Sequence, residues 1–372
     1  MSKRILVNLL SFSEEKYYGV GVYFRDIVVD ALTRLVKEND CKLLILYLEN
    51  INVKEMFGII EHDRIDYVAV SCINSKLKRI FFEQIILPLR FKKFDLVYSP
   101  NNINPIFSKG LGRSIITIHD LLPFKKFNRF GWFQKKYLKI FTSLSAKTSH
   151  KIVTVSNYSL NEIVDYLHVD KNKIVVTYNS SSISYDNLYT KHAKKNNKYF
   201  FSVGALQDDK QYDLMIRAFH LFLESNPDYK DFKLFIAGGD HGSKGKLEII
   251  IKDLSMQDQV ILLGYVSDGE KYSLYMDCKA TLLLGKSEGF GIPVIESMVF
   301  EKPIIVSNLG ALPEIVGSAG IITASTVSDV ANAMRKILEF KCSKDLFTHE
   351  LERFNLKKQQ DKLYNLFKSV IN

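Results

Sequence analysis

Two glutamates eight positions apart, Glu288 and Glu296, bracket the stretch "EGFGIPVIE". Between them stand Gly289, Phe290, Gly291 and then Pro293, placed where a helix would start and where a missing N–H costs nothing. The preceding run "ATLLLG" reads as a buried strand, so the glycines form a turn from a strand's carboxyl end into a helix. Open parallel sheets bind ligands at such ends, and N–H groups at a helix start favour an anion such as phosphate. Glu288 would stand at the mouth of that anion site. Glu296, in the first turn of the helix, can accept two hydrogen bonds from a vicinal diol such as a ribose. Phosphate, ribose and a hydroxyl-rich group together describe a sugar nucleotide. The same spacing also fits a plainer arrangement, in which Glu288 is a loop residue and Glu296 complements the helix dipole.

The elements that must hold these residues alternate along the chain. "RILVNLL" reads as a strand, "SEEKYYGVG" as a glycine-containing loop, and "VYFRDIVVDALTRLVKEN" as a helix with Val28, Leu32 and Leu35 at helical spacing. Strand-like runs follow at "KLLILYL", "DYVAV", "DLVYS", "SIITIHD" and "KIVTVS", most of them separated by helical segments. After the polar stretch "YDNLYTKHAKKNNK" a second alternating series runs from "YFFSVGAL" to "PIIVSN", and "KKQQDKLYNLFKSVI" closes the chain as an amphipathic helix. The expected fold is α/β, two tandem doubly wound domains with a cleft between them. Their bounds are expected at residues 1–185 and 199–350, with a linker at 186–198 and a final helix over 351–372 packing back on the first domain.

Bulk properties exclude several classes. A chain of 372 residues, 47% hydrophobic and 25% charged, has the size of two soluble domains. No apolar run approaches the length of a membrane span, and the N-terminus turns acidic where a signal peptide would carry its cleavage site, so the chain is read as cytoplasmic. Cys41, Cys72, Cys278 and Cys342 are scattered and indicate neither a disulfide framework nor a zinc site. The net charge of +10 is uneven: residues 1–190 carry 27 Lys and Arg against 18 Asp and Glu, and the remainder is nearly balanced.

With those residues in place, the sequence resembles the retaining glycosyltransferases of family four, which have the GT-B fold. The resemblance rests on "SEGFGIPVIESM" with "KPIIVSNLGALPEIVGSAG", and extends through "GVGVYFRDIV", "FFEQIILP", "DLVYSPNNINP", "TIHDLLPF", "KIVTVSNYSLNEIV", "FFSVGALQDDKQYDLMIRAF" and "VILLGYVSDGEKYSLY". It covers residues 5 to 340, and is similar in particular to the mannosyltransferase-like branch of bacterial surface-polysaccharide synthesis. The resemblance implies that Glu296 binds the donor ribose, Glu288 contacts the donor sugar and Lys210 pairs with the diphosphate. It likewise implies His119 beside the sugar, with Glu288, His119 and Lys210 as the catalytic set. Donor contacts would come from Gly204, Tyr265, Val266, Gly289, Phe290 and Gly291, and a diphosphate or acceptor loop from Gly19 and Gly21. Read in isolation, Lys210 is equally a solvated surface lysine and His119 a satisfied structural histidine.

The chain departs from that pattern in places. Ala205 stands where many members carry an arginine, Asp208 and Asp209 put two carboxylates beside Lys210, and Ser180 and Ser287 replace the usual glycine and aromatic residue. The implied reaction is transfer of a hexose from a nucleoside-diphosphate sugar, either GDP-mannose or a UDP-sugar, with retention. It would need no cofactor or metal, because Lys210 and the helix start serve in the cation's place. A sugar-nucleotide 2-epimerase and a non-catalytic sugar-nucleotide-binding protein are the alternatives.

The acceptor is expected to be a polyprenyl-pyrophosphate-linked oligosaccharide. The segment "FKKFNRFGWFQKKYLKIFTSLSAKTSHK" and residues 76–93 interleave Lys and Arg with aromatic side chains, Trp132 among them. Such a surface suits anionic lipid, which would put the protein peripherally on the inner face of the cytoplasmic membrane. A core helix with a solvated basic face fits the same pattern. No nucleic-acid-binding module accompanies the charge, so nucleic acid is not an expected partner.

Overall fold

The computed structural model describes residues 2–12, 19–71, 75–106, 111–125, 131–181 and 198–372. The polar stretch expected to link the domains falls largely outside these residues. Thirteen strands lie among the described residues, in two sheets that are parallel throughout. The chain divides into two compact units, one reaching from the N-terminus to Ser180 together with Asn355–Asn372, the other running from Ser181 to Phe354.

In the first unit the strands are β1 (Lys3–Asn8), β2 (Cys41–Leu48), β3 (Ile65–Val70), β4 (Leu96–Ser99), β5 (Arg113–Ile118), β6 (Lys151–Thr154) and β7 (Ile174–Val176). Their order is β3-β2-β1-β4-β5-β6-β7, so the direction of winding reverses between β1 and β4. Continuous apolar runs produce these strands because both faces of the sheet are covered; β4 is buried at every residue. The helix after β1 runs from Val20 to Glu38 with a π-helical stretch, Phe24–Val28, inside it. The helix Leu356–Ile371 belongs to this unit: Arg34 donates to Asp361 Oδ1 at 2.6 Å, Asn39 donates to the Tyr364 hydroxyl at 2.7 Å, and the Phe367 ring sits 5.0 Å from that of Tyr98.

The second unit contains β8 (Tyr199–Val203), β9 (Lys233–Ala237), β10 (Val260–Gly264), β11 (Ala280–Leu283), β12 (Ile304–Ser307) and β13 (Gly320–Thr323). Their order, β10-β9-β8-β11-β12-β13, reverses between β8 and β11. Successive residues of β8 point to opposite faces. Phe200 accordingly packs with Phe219, Phe222, Leu234 and Leu282, while Tyr199 and Phe201 pack with Tyr275 and Phe300 on the other side. Both faces are thus closed by helices, and ligands of such sheets sit where the loops after the two strands at the reversal diverge.

Candidate functional site

Loops after β8 and β11, the strands that flank the reversal, bring Lys210 and Glu288 together. The first loop ends in a short 3-10 turn, Asp208–Lys210, and the second leads into the helix Ile292–Val299. Lys210 Nζ donates to Glu288 Oε1, with both side chains more than four-fifths buried. The loops are also stitched through the backbone, since Lys286 N–H donates to the Asp209 carbonyl at 2.8 Å. A third loop, after β12, braces Glu288 from the other side, where Ala311 N–H donates to its carbonyl at 2.9 Å. Gly310 makes that approach possible: its φ is +66°, and a Cβ there would lie 2.7 Å from the Glu288 nitrogen.

Glu296 is the fifth residue of its helix, not part of the first turn, and Pro293 is the second rather than the first. The dipole reading for Glu296 therefore fails, because that effect fades beyond the first turn. The carboxylate faces inward and is 8% exposed. Its Oε1 accepts from Lys271 Nζ at 2.9 Å and its Oε2 from the Tyr275 hydroxyl at 2.8 Å. Both partners come from the helix Asp268–Asp277, whose start is fixed by a capping box between Ser267 and Glu270. Four residues apart, Lys271 and Tyr275 share one face of that helix. Burial works against the charge on Lys271, yet Glu296, with Asp268, holds its pKa above the usual lysine value. Burial first, and then the neighbouring carboxylate, push the Tyr275 phenol far up, so it remains a donor. A carboxylate keeps acceptor capacity beyond these two bonds.

The remaining donor-site candidates of this unit divide by exposure. Tyr265 is 74% exposed just past β10, with Val266 half-buried beside it. Phe290, by contrast, is 4% exposed, its ring packed edge-on against Phe354 at 5.7 Å, so its side chain supports the turn from behind. Gly291 caps the helix with φ +102°, and a Cβ there would come 2.7 Å from Leu312 Cδ2. The Gly204 carbonyl accepts from the Tyr212 hydroxyl at 3.0 Å. Of the two carboxylates expected to compete for Lys210, Asp208 instead faces Lys246 at 3.1 Å and Ser243 at 3.2 Å, and the Lys246 hydrogen bond lowers its pKa. Its charge is thereby matched elsewhere.

In the first unit His119 follows β5 and is 9% exposed. Its Nε2 lies 3.0 Å from the Pro100 carbonyl, which can only accept, so Nε2 carries the proton and Nδ1 holds a lone pair. Burial pushes the imidazole down to about 4, with the Pro100 bond opposing, and leaves it neutral near pH 7. The Tyr23 ring meets it edge-on at 5.3 Å. Gly19 is the cap of the helix that contains Gly21 and Tyr23, and Gly21 is buried. Among the described residues no group of three His, Cys, Asp or Glu side chains is arranged to hold a metal ion.

Sequence reasoning missed Lys271 and Tyr275. The one available signal was their four-residue spacing on a helix opposite Glu296, which has meaning only once the two helices are known to pack together.

Comparison with known proteins agrees with this fold. Residues 56–181 match the family model "Glycosyltransferase Family 4", and residues 186–360 match "Glycosyl transferases group 1". The O-antigen chain mannosyltransferase RfbU of Salmonella typhimurium is 30% identical over 234 residues, 63% of this chain and 62% of that protein. The O-antigen chain mannosyltransferase B of Escherichia coli is 25% identical over 66% of this chain and 65% of its own length. The matches thus span somewhat under two thirds of these relatives. Among solved structures, a glycosyltransferase from Rickettsia africae superposes with a TM-score of 0.72 at 17% identity, covering 100% of this chain and 99% of that one. Anabaena HepE, solved in complex with UDP, superposes equally well at 15% identity, covering 99% and 100% of the two chains. At such identities the likeness speaks for the fold.

Proposed function

We propose, from the premise that this chain belongs to the family-four glycosyltransferases of GT-B fold, that it is a retaining hexosyltransferase using a nucleoside-diphosphate sugar. The observation that carries the reading is the Lys210–Glu288 pair at the strand reversal of the second sheet, with the doubly held Glu296 one helix away. A diphosphate is drawn to Lys210 and the turn at Phe290 and Gly291, and a ribose diol to the remaining lone pairs of Glu296. Tyr265 and Val266 border the place for the base.

In the resting protein Lys210 is engaged by Glu288. A bound diphosphate competes for that ammonium, and Glu288 then turns to the sugar hydroxyls, so donor binding itself prepares the carboxylate. As the bond from the anomeric carbon to the phosphate oxygen breaks, Lys210 balances the charge developing on the leaving diphosphate. The acceptor oxygen bonds the anomeric carbon from the same face, and its proton passes to the departing phosphate oxygen. Glu288 stabilises the oxocarbenium-like state between. Lys210 and the helix start at Phe290 and Gly291 make the step independent of a metal ion. In the first unit, His119 offers the Nδ1 lone pair of a neutral imidazole to a hydroxyl, and Gly19 and Gly21 offer backbone to an acceptor.

The acceptor is a growing polyprenyl-pyrophosphate-linked oligosaccharide on the inner face of the cytoplasmic membrane. Two O-antigen mannosyltransferases among the relatives support this direction, and favour mannose as the sugar. The test is product analysis in EDTA, with radiolabelled GDP-mannose and UDP-sugars and a lipid-linked oligosaccharide extract. A lengthened acceptor with retained anomeric configuration is expected. An isomerised free sugar, or binding without any product, would refute the transferase reading.

A further inference from the structure

Two helices of the first unit each carry four large apolar side chains outward. The helix from Lys76 to Arg90 contains a π-helical stretch, Phe82–Ile86. It buries Phe82 and Leu87 against Leu6, Val97 and Leu111, while Leu77, Phe81, Ile85 and Leu89 stay 78%, 57%, 39% and 68% exposed. These four are spaced four apart. In a regular α-helix each such step overshoots a turn by about 40°, which would spread the four over about 120° of the helix surface. The π stretch, with its i→i+5 bonds, holds more residues per turn and takes back part of that drift. The irregularity therefore keeps one apolar stripe facing outward.

The helix Trp132–Thr148 is inverted in the same sense. Its buried residues are the small Thr142, Ser145 and Ala146, whereas Trp132, Phe133, Ile140 and Leu144 are 67%, 82%, 45% and 41% exposed. The two helices flank one segment: Asn104 N–H donates to Ser145 Oγ at 2.9 Å, and Gln84 donates to the Asn104 carbonyl at 3.2 Å. Tyr137 of the second helix lies within electrostatic reach of Glu83 and Arg79 of the first.

Cations rim the two stripes, with Lys78, Arg90, Lys92, Lys93, Lys136 and Lys147 all exposed. Glu83 is the one acidic residue in 75–93 and is buried, and 131–148 contains none. A second copy would present the same positive rim, which argues against self-association through this face. Nucleic acid would leave the apolar stripes in water. An anionic lipid bilayer meets both features, since apolar side chains enter the acyl boundary while cations stay at the headgroups. We infer that Leu77, Phe81, Ile85 and Leu89, together with Trp132, Phe133, Ile140 and Leu144, form a docking surface for an anionic phospholipid membrane. The inference deepens the proposed function by naming the surface that would hold the enzyme against its lipid-linked acceptor. Among the described residues no helix is long and apolar enough to cross a membrane.

Trp132 is the only tryptophan, so its emission reports on this surface directly. The full chain is titrated with vesicles of phosphatidylcholine alone and with 30% phosphatidylglycerol, an amount chosen on the order of a bacterial anionic fraction so that each cation near the surface counts about fivefold. A blue shift with anionic vesicles only, weakened by salt, is expected. Phe81→Ser with Phe133→Ser should weaken that binding at least tenfold while leaving the melting temperature and oligomeric state unchanged. Equal binding to neutral vesicles, no shift at all, or a loss of self-association in the double variant would overturn the inference. Nucleotide affinity, measured on the same samples, tells a failure of membrane docking apart from a failure of the donor site.

Discussion

Lys210 Nζ donates a hydrogen bond to Glu288 Oε1 across the point where the strand order of the second sheet reverses. The two residues are 78 positions apart and reach each other because β8 and β11 are neighbours in the sheet. Under the proposed function, the cation assigned to the diphosphate and the carboxylate assigned to the sugar thus satisfy one another before any donor arrives.

That competition has a measurable sign. Glu288→Gln removes the charge that holds Lys210, so a nucleoside diphosphate should bind about fivefold more tightly, the equivalent of an ion pair worth about 1 kcal/mol. Turnover should fall by about 100-fold or more, as when a transition-state stabiliser is lost. Calorimetric titration and steady-state kinetics on the same variant separate the two effects; weaker nucleotide binding would contradict the competition.

Lys271 and Glu296 should show strong coupling in stability. Lys271→Met leaves a buried carboxylate with one partner, which should cost about 2–3 kcal/mol, the range of a lost hydrogen bond to a charged group. Combining it with Glu296→Gln should recover much of that loss, because the unpaired charge is gone. Urea denaturation of the two single variants and the double gives the coupling energy, and strict additivity would show that the ion pair contributes nothing.

His119 predicts a slope in stability on the acid side. Its folded value is about 4 against an ordinary 6.5. Between these values the unfolded chain takes up a proton that the folded chain excludes. Its contribution is therefore complete above pH 6.5 and is lost as pH falls towards 4, by about 3 kcal/mol in all. His119→Asn, which retains a donor for Pro100, should flatten the dependence of the urea midpoint from about pH 7 down to about pH 4.5. Parallel slopes for both proteins would rule His119 out as the cause.

Tyr265 and Phe290 were expected to serve the donor alike, yet their environments call for opposite outcomes. Tyr265→Ala should leave stability unchanged and weaken nucleotide binding about tenfold, the range of a lost base–aromatic stack. Phe290→Ala should destabilise the fold by about 3–5 kcal/mol through loss of its packing on Phe354. Thermal melts and nucleotide titrations on both variants check the contrast.

Strands β1 to β6 and β8 to β12 were legible because short apolar runs of Val, Ile, Leu and aromatic residues alternate with helical segments, as sheets covered on both faces require. β7 escaped as a three-residue strand at the sheet edge, and β13, also at an edge, keeps exposed residues that break the apolar run. The π stretches left no mark, since their side chains still follow a helical pattern. Glu288, Glu296 and Lys210 were legible through a resemblance that spans the chain. Their partners were not, because the bonds of Glu296 to Lys271 and Tyr275 join separate helices 25 and 21 positions away. Asp208 looked like a competitor for Lys210 until its neighbour Lys246, 38 positions on, was in view.

Titration of the wild-type chain, Glu288→Gln and Lys210→Ala with GDP and with UDP, all in EDTA, tests the donor site most directly. One nucleotide should bind the wild type, bind Glu288→Gln more tightly, and bind Lys210→Ala about tenfold more weakly, the loss expected for a hydrogen bond to a charged group. Equal affinities in all three proteins, or no binding of either nucleotide, would contradict a diphosphate site built on Lys210 and Glu288.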